Sequence, residues 1–222
     1  MGIPENIKKL RADIPAHVNI IAVSKRKPVE DILQAYEAGH RVFGENRVQE
    51  LIEKQPLLPK DIQWHMIGHL QTNKVKFIAG FVDMIHSVDS LKLALTVDRE
   101  ASKAGRVIPV LLQIHIADEE QKYGFAEDEL NRLLDSAELT DLRNIRIDGL
   151  MGMATYTEDQ EKIRSEFRHL REVFSRVKNA YFAGFDFFRQ ISMGMSGDYK
   201  IAIEEGSTMI RVGTVIFGAR AY

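Results

Sequence analysis

A lysine at the end of a buried strand is the residue in this chain best placed for covalent chemistry. Lys25 follows Val18-Asn19-Ile20-Ile21-Ala22-Val23, an apolar run rich in β-branched residues and bounded by Pro15 and Pro28. Such a run reads as a core strand, and the strand end is where α/β proteins bind ligands. An amine at the mouth of an apolar interior is destabilised as an ammonium and becomes a nucleophile toward aldehydes. The plainer alternative for one isolated lysine is a solvated strand end.

A second cluster lies near the C-terminus. Ser192-Met193-Gly194-Met195-Ser196-Gly197-Asp198 is a glycine-bearing turn before a short helix, and Arg211-Val212-Gly213-Thr214 closes the next strand. Glycines let backbone N–H groups approach an anion, and the hydroxyls of Ser196 and Thr214 add donors. Either loop alone could simply be a turn with Ser196 or Asp198 as a cap. In β/α barrels, however, phosphate sites are frequently built from the loops after strands seven and eight. In a closed barrel strands one and eight pair, which sets Lys25 beside this cup. An imine-forming lysine facing a phosphate clamp suits pyridoxal 5′-phosphate (PLP). It suits a Schiff-base sugar-phosphate aldolase equally well.

Other polar clusters are less specific. Gly44-Glu45-Asn46-Arg47 follows the second strand, where Asn46 could offer its amide to a ring oxygen and Glu45 suits the first turn of a helix. His65 and His69 straddle a strand end and Gly68 rather than sharing a helical face, so a zinc reading is rejected and His65 is assigned to the core or pocket lining. Asp118-Glu119-Glu120 reads as a solvated loop, and Gly149 to Met153 as lining of the barrel mouth.

The elements that must position these residues alternate along the whole chain. Strands are expected at 18–23, 41–43, 63–66, 84–87, 108–114, 145–150, 187–192 and 208–212. Helices are expected at 29–38, 45–54, 70–78, 90–104, 127–136, 158–178 and 198–205, with Gly or Pro as stop signals. Eight such units predict an α/β fold, a single (β/α)8 TIM barrel spanning residues 1–222. A doubly wound open sheet is the alternative, disfavoured because no G-x-G-x-x-G follows the first strand.

Composition narrows the function. The 222 residues carry 30 Lys and Arg against 32 Asp and Glu, which gives no electrostatic footprint for nucleic acid. There is no cysteine, so disulfides and thiolate metal sites are excluded. The N-terminal segment is too polar for a signal peptide, and no apolar stretch approaches the roughly 20 residues that span a bilayer. A cytoplasmic protein with no membrane association is expected.

Five ordered motifs carry a family resemblance: Ala22-Val23-Ser24-Lys25, Phe43-Gly44-Glu45-Asn46, Trp64-His65-Met66-Ile67-Gly68, Ser192-Met193-Gly194-Met195-Ser196, and Gly206 through Thr214. The chain resembles the YggS/PROSC family of pyridoxal-phosphate homeostasis proteins, which is similar to the barrel half of fold-type III PLP enzymes such as alanine racemase. The resemblance implies PLP as cofactor, held by Lys25 as an internal aldimine. It implies that Ser196, Gly213 and Thr214 hold the phosphate, that Arg211 faces the pyridine nitrogen, and that Asn46, Ser192 and Met195 line the pocket. The family commonly has a small or hydroxyl residue after the lysine, where this chain has Arg26. An arginine opposite the ring nitrogen keeps that nitrogen unprotonated and weakens the ring as an electron sink. The related racemases carry an additional β-domain, and with the chain ending at Arg220-Ala221-Tyr222 no room for one is expected. The implied function is maintenance of vitamin B6 homeostasis without amino-acid turnover, with PLP-dependent apo-enzymes as recipients and a monomer or weak homodimer as the state. The alternative is a racemase-like PLP enzyme acting on amino acids.

Overall fold

The computed structural model describes residues 2–118 and 123–218. Glu119 and Glu120 of the acidic loop, and Arg220 to Tyr222, lie outside the described residues. The element order is α1 (Ile3–Asp13), β1 (Asn19–Val23), α2 (Val29–Glu37), β2 (Val42–Glu45), α3 (Val48–Lys54), β3 (Gln63–Met66), β4 (Met84–Val88), α4 (Leu91–Lys103), β5 (Ile108–Gln113), α5 (Glu127–Leu134), α6 (Ala137–Thr140), β6 (Ile145–Met151), α7 (Gln160–Tyr181), β7 (Gln190–Ser192), α8 (Tyr199–Glu204), β8 (Met209–Val212) and α9 (Thr214–Phe217). The strands form a closed parallel barrel in sequence order. Closure comes from β1 against β8, with Asn19 opposite Met209 and Ala22 opposite Val212.

Alternation along each strand sorts side chains between two cores. Ile21, Val23, Ile67, Met84, Leu111, Met151 and Met209 form a compact cluster that fills the barrel. Ile20, Ala22, Phe43, Trp64 and Met66 belong to the larger cluster beneath the helices. Both faces are therefore dry, which is why β1 reads as a nearly continuous apolar run rather than an alternating one.

All eight expected strands are present, most with ends shifted by one or two residues. The seventh shortens to Gln190–Ser192, because Phe185 and Phe188 N–H groups turn back to Phe182 and Phe185 C=O and hold the preceding residues in turns. The helix expected at 45–54 starts three residues later, at Val48, because Gly44 and Glu45 are still in β2. Its α-helical part ends at Lys54 as expected, and Pro56 sits in a 3₁₀ turn, Gln55–Leu57, that follows. The helix expected at 70–78 is a 3₁₀ helix, Thr72–Phe77. Helix α1, absent from the sequence expectations, buries Ile3, Ile7 and Leu10. No helix among the described residues is long and apolar enough to cross a membrane.

Candidate functional site at the C-terminal mouth of the barrel

A cavity at the C-terminal ends of β1 and β8 opens to solvent. Of the eight residues expected from the sequence, Lys25, Asn46, Met195, Arg211, Gly213 and Thr214 line it. The other two lie just behind the wall. Ser192 is fully buried and accepts from Arg211 Nη1 at 2.6 Å, and Ser196 Oγ accepts the Gly213 N–H at 3.2 Å. Val23, Lys27, Ile67 and Met153 complete much of the lining. Of the segment expected to line the mouth, only Met153 reaches this cavity; Leu150 and Met151 are buried in the two cores.

Lys25 is half-buried in a tight turn that follows β1. Ser24 N–H joins the ladder through Gly44 C=O, and Lys27 N–H returns to Ser24 C=O at 3.0 Å. Arg26 completes the turn with φ +59, a left-handed conformation that is uncommon for a residue with a side chain.

Beneath this turn lies a charged cluster that the sequence expectations missed. Lys54 Nζ donates to Ser24 C=O at 2.9 Å, to Glu45 Oε1 at 2.8 Å and to Glu50 Oε2 at 2.9 Å. Ser24 Oγ donates to the same Glu45 oxygen at 2.7 Å. Glu45 therefore has no part in a helix first turn. It is the last residue of β2, fully buried, and burial pushes its carboxyl above the usual range against the pull of Lys54. The signal available in the sequence was spacing: Val48, Leu51 and Lys54 fall three apart on one helical face, and all three are buried. A lysine on that face must find partners inside.

The Arg211 wall is built differently. The guanidinium is buried, donating through Nη1 to Ser192 Oγ and through Nη2 to Gly152 C=O at 3.1 Å. No carboxylate lies within ion-pair distance of it among the described residues. Desolvation pulls its pKa down to about 10, opposed by the Asp198 charge, so it remains cationic at neutral pH.

Behind Ser192 stand two buried histidines. His86 Nδ1 is 2.9 Å from Ser192 Oγ, and His86 Nε2 is 2.9 Å from His65 Nδ1. Burial pushes His65 down to about 4 and His86 well below its ordinary value, so both rings are neutral. A guanidinium only donates, so Ser192 Oγ accepts from it and has its own O–H to give to His86 Nδ1; His86 Nε2–H then donates to His65. His65 is thus a core residue, as expected, while His86 was not singled out. A histidine amid the apolar residues of β4 was its only signal. His69 stacks on Tyr123 with ring centroids 3.9 Å apart and reaches Asp89 at 3.1 Å. Among the described residues there is no group of three side chains suited to a metal ion.

The cup after β7 and β8 depends on two glycines. Gly194 has φ +94, and a Cβ there would lie 2.6 Å from Ala202 Cβ. At Gly213 a Cβ would come to 3.0 Å from Val23 C=O, so a side chain would push the cup away from β1. Asp198 does not cap α8 with its side chain; its carboxylate accepts the Met195 N–H instead.

A parallel barrel with a lysine after β1 and a glycine cup after β7 and β8 defines a class of barrel that is also found as one part of larger proteins. Residues 2–221 match the family model described as alanine racemase, N-terminal domain. The chain is 40% identical over 204 residues to a protein of Aquifex aeolicus named pyridoxal phosphate homeostasis protein, covering 91% of this chain and 87% of that one. It belongs to the alanine racemase N-terminal domain family and, within it, to the pyridoxal phosphate homeostasis proteins. Among solved structures, PipY of Synechococcus elongatus with PLP bound is similar at TM-score 0.89 and 38% identity, covering 97% of this chain and all of that one. An alanine racemase of Clostridium difficile shares the fold at TM-score 0.77 and 17% identity, with 56% of its length covered.

Proposed function

We propose that this protein holds PLP at the barrel mouth through Lys25, and buffers and hands on the cofactor without turning over amino acids. The observation that carries the reading is the convergence, in one cavity, of an amine from the end of β1, a buried cation from β8 and the Gly213–Thr214 cup. The residues suit the group by their own chemistry. Asn46 Oδ1 is buried with no hydrogen-bond partner among the described residues, which leaves an acceptor for a ligand hydroxyl. Among the described residues Arg211 donates only to neutral acceptors, which matches an unprotonated ring nitrogen better than a second cation. Ser196 and Gly213, already within hydrogen-bond distance of each other, are spaced to share one phosphate with Thr214.

PLP would bring an aldehyde to this site. Lys25 would supply the amine, Arg211 would hold the ring nitrogen without protonating it, and Asn46, Ser192 and Met195 would set the ring plane. The absence of turnover rests on three points. The described lining residues include no Asp, Glu, His or Tyr to act as a second acid or base beside the lysines. Arg211 gives up no proton near neutrality. The homeostasis name of the relatives points the same way. In this reading residues 1–222 act as one cytoplasmic PLP-binding domain, a monomer or weak homodimer, with PLP-dependent apo-enzymes as recipients.

Borohydride reduction of the PLP-loaded protein, followed by peptide mapping, tests the assignment. The pyridoxyl mass is expected on Lys25; finding it chiefly on Lys27 or Lys74 overturns the site. Amino acids labelled with α-deuterium should keep their label. Steady turnover at about one per second or faster, a rate within the ordinary enzyme range, overturns the carrier reading.

A further inference from the structure

The two residues that flank Lys25 are tied to a single buried ammonium. On one side Ser24 gives its carbonyl to Lys54 Nζ and its hydroxyl to Glu45, which Lys54 also binds. On the other side Arg26 N–H donates to Glu50 Oε2 at 2.6 Å, and the Glu50 oxygen that takes this bond is the one held by Lys54. The Arg26 bond fastens the one non-glycine residue with positive φ among the described residues. Left-handed backbone at a side-chain-bearing residue is disfavoured and persists only where surrounding contacts over-determine it. Nearly all of this apparatus is out of water: the Glu45 side chain is fully buried, and those of Lys54 and Glu50 are 11% and 18% exposed.

Stability alone is a weak reason for such a cluster, since buried ion pairs are often matched by well-packed apolar residues. What this cluster does is fix the backbone on both sides of the nucleophile. We propose that Lys54, acting through Glu45 and Glu50, is a positioning residue that pre-organises Lys25 for capture of an aldehyde. The proposal rests on the reading that Lys25 takes PLP. In the captured step Lys25 Nζ forms the bond to the aldehyde carbon, the aldehyde oxygen leaves as water, and the amine gives up its two protons to that water. Lys54 makes no bond to the ligand. Its part is to hold the Ser24–Arg26 turn in the conformation that sets Lys25 in the cavity wall, so that this entropy is lost during folding rather than during capture.

Stopped-flow absorbance after mixing apo-protein with PLP reads the rate of covalent capture. Pyridoxine 5′-phosphate, which has an alcohol in place of the aldehyde, reads non-covalent binding in the same cavity by calorimetry. Lys54→Met is expected to slow capture about tenfold or more, on the scale of small misplacements of a reacting group, and to change pyridoxine 5′-phosphate affinity less than about twofold. Glu50→Ala, at a partly exposed position that Lys54→Met folding failure would not compromise, is expected to slow capture about threefold with the same unchanged affinity. Capture at the wild-type rate in folded Glu50→Ala, or losses of capture and analogue affinity in equal proportion, overturns the proposal. A wild-type protein that forms no imine absorbance band overturns the underlying reading; a wild-type band with unaltered variants overturns this inference alone.

Discussion

The two walls of the cavity solve the problem of a buried cation in opposite ways. On the β1–β2 side, Lys54 is neutralised internally by Glu45 and Glu50, and its hydrogen bonds hold backbone. On the β7–β8 side, Arg211 donates to a hydroxyl and a carbonyl, with neutral His86 behind that hydroxyl and no carboxylate within ion-pair distance among the described residues. A charge whose partners are all protein groups acts as a structural fastener. A charge left with neutral partners keeps its field for something that enters the site. The same physical cost, desolvation of a cation, is offset by adjacent carboxylates in one wall and only at longer range, by Asp198, in the other, which is the wall proposed to face the ligand.

The sharpest way to break this contrast is to remove each cation. Lys54→Met leaves Glu45 buried with its charge uncompensated, and breaking such a pair costs about 3–5 kcal/mol. Arg211→Met removes a desolvated charge that has no carboxylate within ion-pair distance among the described residues and is opposed only at longer range by Asp198, and should change apo-protein stability by less than about 1.5 kcal/mol, the scale of an ordinary hydrogen bond lost. Urea denaturation of both apo-variants measures the difference; equal destabilisation would erase the distinction between the walls.

The cup contributes the next largest effect. Charge-assisted bonds to phosphate are worth about 1.5–3 kcal/mol each, so pyridoxal should bind about a hundredfold or more below PLP. Equal affinities measured by fluorescence titration would show that the cup lies elsewhere.

Acid should act on the neutral wall. His65 has its folded-state pKa lowered to about 4, against an ordinary value of 6.5, and His40 below the barrel behaves likewise. Below pH 6.5 the unfolded chain takes up protons that the folded chain refuses. Stability is therefore full above about pH 6.5 and falls as pH is lowered toward 4, by roughly 2 kcal/mol per histidine at pH 5. Chemical denaturation at pH 7 and pH 5 reads this loss, and His65→Gln should reduce it by about one histidine's share. A pH-independent midpoint would contradict neutral rings.

The smallest effect expected is for Ser196→Ala, about tenfold in PLP affinity, because Gly213 and Thr214 remain; tenfold corresponds to about 1.4 kcal/mol. No change at all would remove Ser196 from the cup and leave the site to β1, β2 and β8.

Much of this was legible in the chain because strand and loop signals are local. The run before Lys25, the glycine turns after residues 192 and 212, and the alternation of apolar strands with amphipathic helices follow from steric preference and hydrophobic periodicity, which neighbouring residues determine by themselves. That is why eight strands were located, and why six expected site residues line one cavity. Local sequence predicts the short third helix too early because Gly44 and Glu45 look like a helix entry, whereas pairing with β3 keeps them extended. The roles of Lys54 and His86 are hidden from local sequence for a related reason. Each lies on an element whose identity is local, but its partners come from the turn after β1 and from β2 in one case and from β3 and β7 in the other. The amino-acid sequence by itself determined the units of the barrel and six of the residues that line its mouth. Closure of β1 onto β8, the pairing of buried charges and the neutral state of the histidines were decided only by the tertiary structure, because desolvation and long-range hydrogen bonding depend on what the fold brings together rather than on what lies adjacent in the chain.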